Sequence, residues 1–107
     1  MNEDLNIQDL PGLTISVNIN QTNQSKSDYD ATKESWVIDS KKVKDIHYVV
    51  SEINGIIQNI YNVNKWIPFN GRWSFEGTSV SNSYPKLIRK RIPKSSGERN
   101  PVKYLNF

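Results

Sequence analysis

Residues 48–63 read YVVSEINGIIQNIYNV, and Asn54-Gly55 divides this stretch into two arms. β-branched and aromatic side chains dominate both arms, which favours extended strands. Asn-Gly tolerates positive φ at both central positions of a turn, so it favours a type I′ turn whose twist matches that of the paired strands. The stretch therefore predicts a β-hairpin, and we expect the rest of the fold to be built around it.

The residues before this hairpin also carry strand and turn patterns. Residues 13–20 (LTISVNIN) alternate apolar and polar side chains, which predicts a half-buried strand. Residues 28–35 fit a short helix, and residues 36–38 (WVI) predict a short strand. Asp39 or Ser40 then fits the cap of a helical turn, because short polar side chains satisfy the free backbone N–H groups there.

After the hairpin, turn residues again define the strand ends. Residues 66–69 (WIPF) are expected to end the second arm, because Pro68 cannot donate a hydrogen bond to a neighbouring strand. Asn70-Gly71 predicts a second tight turn, and residues 72–76 predict a further strand ended by Gly77. Residues 84–92 fit either a short helix or an edge segment.

A closing strand is predicted over residues 102–107, which brings the total to about five strands and one or two short helices. Five short strands leave exposed edges unless the sheet curls. We therefore expect an α+β fold with a small, strongly bent mixed sheet or a partly closed β-barrel. Residues 1–11 are polar without an apolar period and predict a disordered arm, which leaves residues 12–107 as a single β-rich domain.

Composition excludes several classes of protein. The chain has 107 residues and no cysteine, so it has no disulfide, no cysteine-ligated zinc and no thiol nucleophile. No apolar run approaches the roughly 18 residues of a membrane span, and no secretory pattern opens the sequence. We expect a cytoplasmic protein without a membrane partner.

Charge is distributed unevenly along this small basic chain. Residues 86–103 carry a net charge of +6, whereas residues 1–45 carry −3. A basic run attracts polyanions, because neutralising phosphates releases their counterions. It also fits a solvated surface segment without a ligand.

The three tryptophans precede the basic run and have two possible roles. They can fill the core of a small domain, or they can stack on exposed bases at roughly 1–3 kcal/mol per base. Trp73 alternates with Phe75 and is expected in the core. Trp66 stands beside Lys65 at a predicted strand end and is expected to be the most exposed.

These considerations predict a nucleic-acid interface made of a basic edge and an aromatic surface. Thr32 and Lys33 lie near the start of a possible helix, where backbone N–H groups favour anions. Asn100 has the donors and acceptors to read a base edge, although a role in bracing the last strand fits equally. The predicted interface comprises Thr32, Lys33, Trp36, Trp66, Arg72, Lys86, Arg89, Lys90, Arg91, Lys94 and Asn100.

Catalysis has weaker support from the sequence. His47 is the only histidine, and no third ligand for a metal is evident beside it and Asp45. Glu52 and Glu76 could pair across strands, but nothing in the sequence around them indicates a raised pKa. Enzymatic activity is left open, a non-catalytic role is favoured, and no cofactor or metal is predicted.

Five segments stand in a fixed order: residues 19–20 (IN), residues 29–36 (YDATKESW), residues 54–66, residues 72–77 (RWSFEG) and residues 100–106 (NPVKYLN). Together they resemble an uncharacterised family of small bacterial and phage-borne β-rich domains. The resemblance implies a PUA-like shape, a group of small barrels in which many members bind RNA or modified DNA. Lys33 departs from the arginine that the family pattern has, which would weaken a bidentate phosphate contact.

The sequence thus predicts a non-catalytic module that binds nucleic acid, single-stranded or with a flipped base, and leaves DNA and RNA open. The alternative is a protein-interaction protein of a phage or mobile element that blocks a host protein. A monomer or a weak homodimer is expected. The nucleic-acid prediction requires the cations and accessible indoles to share one groove.

Overall fold

A computed structural model of the chain describes residues 3–19, 36–92 and 102–106. Within these ranges, five strands form one open mixed sheet in the order β4-β3-β2-β1-β5. β1 and β2 are parallel, and the other neighbours are antiparallel. The strands are β1 (Thr14–Asn18), β2 (Tyr48–Ile53), β3 (Ile56–Phe69), β4 (Arg72–Ser79) and β5 (Val102–Tyr104).

The mixed five-stranded sheet is confirmed, but the partly closed barrel is wrong. β4 and β5 lie at opposite ends of the sheet with three strands between them. At the β4 edge, Trp36 exchanges two backbone hydrogen bonds with Trp73, so a connecting segment covers part of that edge. The helices of the described residues are short 3-10 turns at Ile7–Asp9, Val43–Asp45 and Ser81–Ser83.

Both Asn-Gly turns form as the sequence predicts. Asn54 and Gly55 have φ of 54° and 81°, and Asn70 and Gly71 have φ of 51° and 75°. Positive φ at both central positions is the geometry of a type I′ turn, which fixes the register of the flanking strands. The β2–β3 and β3–β4 hairpins are therefore set by local sequence.

β3 ends at Phe69, within the residues where the sequence predicts its end, and it includes Pro68. Pro68 lies opposite Trp73, whose backbone N–H and C=O both bond to Trp36 on the far side of β4. The ladder therefore needs no donor from Pro68 at this pair, and the strand continues to Phe69.

β1 is confirmed as a strand, but it is buried on both faces and not on one. Ile15 and Val17 are fully buried on one face, and so are Thr14 and Ser16 on the other. The position of β1 between β2 and β5 explains this, since residues packed above and below an interior strand cover both of its faces.

Two apolar clusters lie on opposite faces of the sheet. Successive residues of β2 point to opposite faces, so Val49 belongs to the cluster on the first face and Val50 to the cluster on the second. The first face is completed by Trp36, Ile38, Val43 and Ile46 of the segment before β2. The second face is completed by Leu5, Leu10, Leu87 and Ile92.

Three segments outside the strands differ from expectation or add to it. Residues 36–38 form only an isolated bridge and no strand, because Trp36 alone pairs with β4. Residues 84–92 form consecutive turns, with Arg91 bridging Ile56 and Asp4. In the arm that we expected to be disordered, residues 3–10 lie against the second face through buried Leu5 and Leu10. The predicted helix at residues 28–35 lies outside the described residues.

Candidate functional site

The tryptophans belong to the first face of the sheet. Trp36 is 7% exposed and packs into the core, while Trp66 and Trp73 are half-buried against it. We expected Trp73 to be the most buried of the three, and that expectation is wrong because Trp36 is buried and Trp73 is not. Trp66, which we expected to be the most exposed, is half-buried like Trp73. Trp36 is the buried one because its segment folds back over the first face.

Trp66 is held in place by two contacts that a mobile stacking platform would lack. Its indole N–H donates to the carbonyl of Ile46 at 3.1 Å, and its ring meets Phe75 edge-on with centroids 5.5 Å apart. A buried donor with a partner and an edge-to-face pair are typical of structural aromatics. Trp66 thus supports the fold with most of its surface.

The basic segment lies on the other face and at the other end of β3. Leu87 and Ile92 pack into the cluster of the second face, and Arg89 and Lys90 bond through their backbones to Ile57. Trp66 follows Ile57 by nine residues along β3, which corresponds to about 30 Å of extended strand. The structure therefore does not bring Lys86, Arg89, Lys90 and Arg91 together with Trp36 and Trp66.

Half of that basic segment is engaged with acidic residues of the N-terminal segment. The Lys90 ammonium lies 2.5 Å from a Glu3 carboxylate oxygen, and Arg91 Nε lies 2.8 Å from Asp4 Oδ1. The hydrogen bond from Lys90 and the charge of Lys90 lower the pKa of Glu3 below its ordinary value. Lys86 and Arg89 are exposed on the same segment.

The β3–β4 hairpin extends beyond the start of β2, because the first residue of β2, Tyr48, pairs with Asn62 and β3 continues to Phe69. We call residues 64–76 the β3–β4 arm. Its first-face side carries Trp66, Trp73 and Phe75 and is braced by the 36–46 segment. Alternation places the remaining residues on the opposite side, which we call the outer face of the arm. The outer face comprises Lys65, Ile67, Phe69, Arg72, Ser74 and Glu76.

Phe69 gives the outer face an exposed aromatic ring. It is 68% exposed and lies directly opposite Arg72, which is also exposed. Val37, next to Trp36 at the β4 edge, is 61% exposed. Neither Lys65 nor Arg72 has an ion-pair partner among the residues that the structure describes. The arm therefore combines apolar surface with two unpaired cations, and of these only Arg72 was predicted as a binding residue.

Sequence reasoning missed a buried acid at the end of β2. Glu52 is 2% exposed, and its Oε2 atom has no hydrogen-bond partner. Burial raises the pKa of Glu52, and the nearby charge of Lys103 opposes that rise only in part. The expectation that nothing perturbs this carboxyl is wrong. The sequence offered little indication that Glu52 is buried, because a single Glu in a strand ordinarily points to solvent.

No catalytic or metal arrangement appears in the part of the chain described. His47 is exposed, and no three His, Asp or Glu side chains of the described ranges gather around one point. Thr32, Lys33, Lys94 and Asn100 lie outside the described residues. Across those same ranges, no helix has both the length and the apolar character to cross a bilayer.

Comparison with known proteins gives no match to a family model, a curated protein or a solved structure. The resemblance to the phage-borne family and the PUA-like shape therefore stay predictions.

Proposed function

We propose that this chain is a non-catalytic module that binds a protein partner through the outer face of the β3–β4 arm. The exposure of Phe69 at the end of a braced arm carries the proposal. Exposed aromatic and arginine side chains close together are typical of the residues that dominate protein interfaces. Trp66 and Trp36 hold the arm in one conformation, so less conformational entropy is lost when the arm binds a partner.

Replacing Phe69 with Ser is expected to abolish partner binding without affecting the fold. A buried aromatic anchor contributes about 2 kcal/mol or more, so affinity should fall about 30-fold or more. Stability should change by less than about 0.5 kcal/mol, because the side chain is exposed. The measurement is capture from nuclease-treated lysate of the source organism, followed by quantitative binding of the captured protein and by thermal unfolding.

Ile7→Ser is the matched control, because Ile7 is 46% exposed on the N-terminal segment and far from the arm in the fold. The control should retain the partner. Equal capture by the Phe69 variant and the wild type would contradict the proposal.

Nucleic acid is a second candidate partner, supported by the exposure of Lys86 and Arg89 on one turn segment. With Lys90 and Arg91 held by Glu3 and Asp4, we propose phosphate contacts for Lys86 and Arg89, which makes about two contacts from the described part of this segment. The logarithm of the binding constant should then fall with the logarithm of salt at a slope of about −2, whereas six phosphate contacts would give about −4 to −5.

Filter binding of single-stranded DNA and RNA across a salt series measures that slope. Lys86→Gln with Arg89→Gln should remove binding, while the charge-matched pair Lys41→Gln with Lys44→Gln, on the first-face side, should leave it intact. Binding that does not depend on salt would exclude this candidate.

A further inference from the structure

A cavity of about 200 Å³ opens between the first 3-10 helix and the turns that follow β4. It lies away from the β3–β4 arm and has no part in the proposed protein interface. Its walls are formed by Asp9, Ser83, Tyr84, Pro85, Lys86 and Leu87.

Two opposite charges line this cavity without pairing. Asp9 and Lys86 are exposed, and neither forms an ion pair with the other or with any residue that the structure describes. Nearby Lys90 and Arg91, by contrast, both pair with acids of the same N-terminal segment. The cavity lining therefore includes one residue with a carboxylate and one with an ammonium, and neither side chain has a hydrogen-bond partner among the described residues.

The wall between the two charges is apolar and preformed. Leu87 is 2% exposed, and the Tyr84 ring meets Tyr48 edge-on with centroids 6.2 Å apart. A hydrogen bond with Tyr84 and burial raise the pKa of Tyr48, so the Tyr48 phenol stays neutral at physiological pH. The backbone N–H of Leu87 donates to the carbonyl of Tyr84, which fixes the turn that carries the wall.

We propose that this cavity binds a zwitterionic α-amino acid with a small apolar side chain. Asp9 accepts from the ligand ammonium, Lys86 donates to the ligand carboxylate, and the ligand side chain rests on Tyr84 and Pro85. A cavity of about 150 Å³ holds benzene, so 200 Å³ has room for an amino acid the size of leucine. Because the site is open to water and the ligand is small, the dissociation constant should be about 1 mM.

The test is a ¹H–¹⁵N correlation NMR titration of the full chain with L-leucine to about 20 mM. Shifts are expected to cluster at residues 7–10 and 83–88. N-acetyl-leucine lacks the ammonium and leucine amide lacks the carboxylate, so each should bind about 5–10-fold more weakly. Equal binding of the three compounds would overturn the proposal, as would shifts elsewhere or none at all.

Charge variants provide the matching protein controls. Asp9→Asn and Lys86→Met should each weaken leucine binding about 5–10-fold. Asp39→Asn, an exposed acid outside the cavity, should not. Thermal unfolding shows whether each variant is folded, and leucine binding unchanged in both folded cavity variants would refute the assignment. Loss of leucine binding leaves the protein interface of the arm untouched, so the two proposals fail independently.

Discussion

Gly77→Ala is expected to destabilise the protein by about 3 kcal/mol. A Cβ atom at Gly77 would collide with the backbone carbonyl oxygen of Asn62 and press on the ring of Phe75. The carbonyl belongs to β3 and cannot rotate away as a side chain would. Gly77 lies beside the register shift between Val63 and Lys65, where β3 bulges and approaches β4 closely.

Urea unfolding measures this loss, and the melting temperature should fall by roughly 10 °C or more. Gly55→Ala is the control, because Gly55 has φ of 81° but open space around its Cβ position. That variant should lose about 1 kcal/mol from the unfavourable φ alone. If Gly77→Ala cost no more than the control, the close strand approach would be disproved.

The same glycine shows why the sequence predicted the turns but not the length of the strands. Asn54-Gly55 and Asn70-Gly71 fix their turns through local φ preferences, which a sequence displays directly. Gly77 was expected to end a strand, yet it lies inside β4, which continues to Ser79. A sequence does not distinguish a glycine that ends a strand from a glycine that lets a neighbouring backbone come close. The second role depends on the position of the partner strand, which the sequence does not display.

The separation of the basic residues from the tryptophans was also not visible in the sequence, for a related reason. The basic segment packs near the start of β3, whereas Trp66 lies near its end, so the length of the strand separates them. They also pack on opposite faces of the sheet. Charge and aromatic content are readable from composition, whereas the face that each residue occupies follows from register.

Glu52 was missed because its burial depends on distant residues. β1 pairs with β2 in parallel and sets Asn18 beside Glu52, while β5 brings Lys103 opposite Ser16 on the neighbouring strand. These pairings join segments far apart in the chain, so no local pattern marks the carboxyl as buried. The result is an acid whose ionised form opposes folding.

Glu52→Gln is therefore expected to stabilise the protein by about 1–3 kcal/mol at neutral pH. The folded-state pKa of Glu52 lies above its ordinary value of 4.5, so the folded protein binds the proton more tightly than the unfolded chain does. Below about pH 4 the group is neutral in both states and costs nothing. As the pH rises through the unfolded and then the folded pKa, stability falls, and it stays lower above both values.

Urea unfolding of the variant and the wild type from about pH 4 to about pH 8 measures this difference. The gain of Glu52→Gln should be small at the acid end and grow with pH. Glu76→Gln, the same substitution at an exposed acid on β4, is the control for losing one carboxylate. Glu3 contributes with the opposite sign, since its lowered pKa stabilises the fold above the ordinary value and loses that effect as pH falls. That contribution is common to all three proteins and cancels in the difference. A Glu52→Gln variant less stable than wild type at neutral pH would show that Lys103 fully compensates the buried carboxylate, and Lys103→Gln should then cost as much.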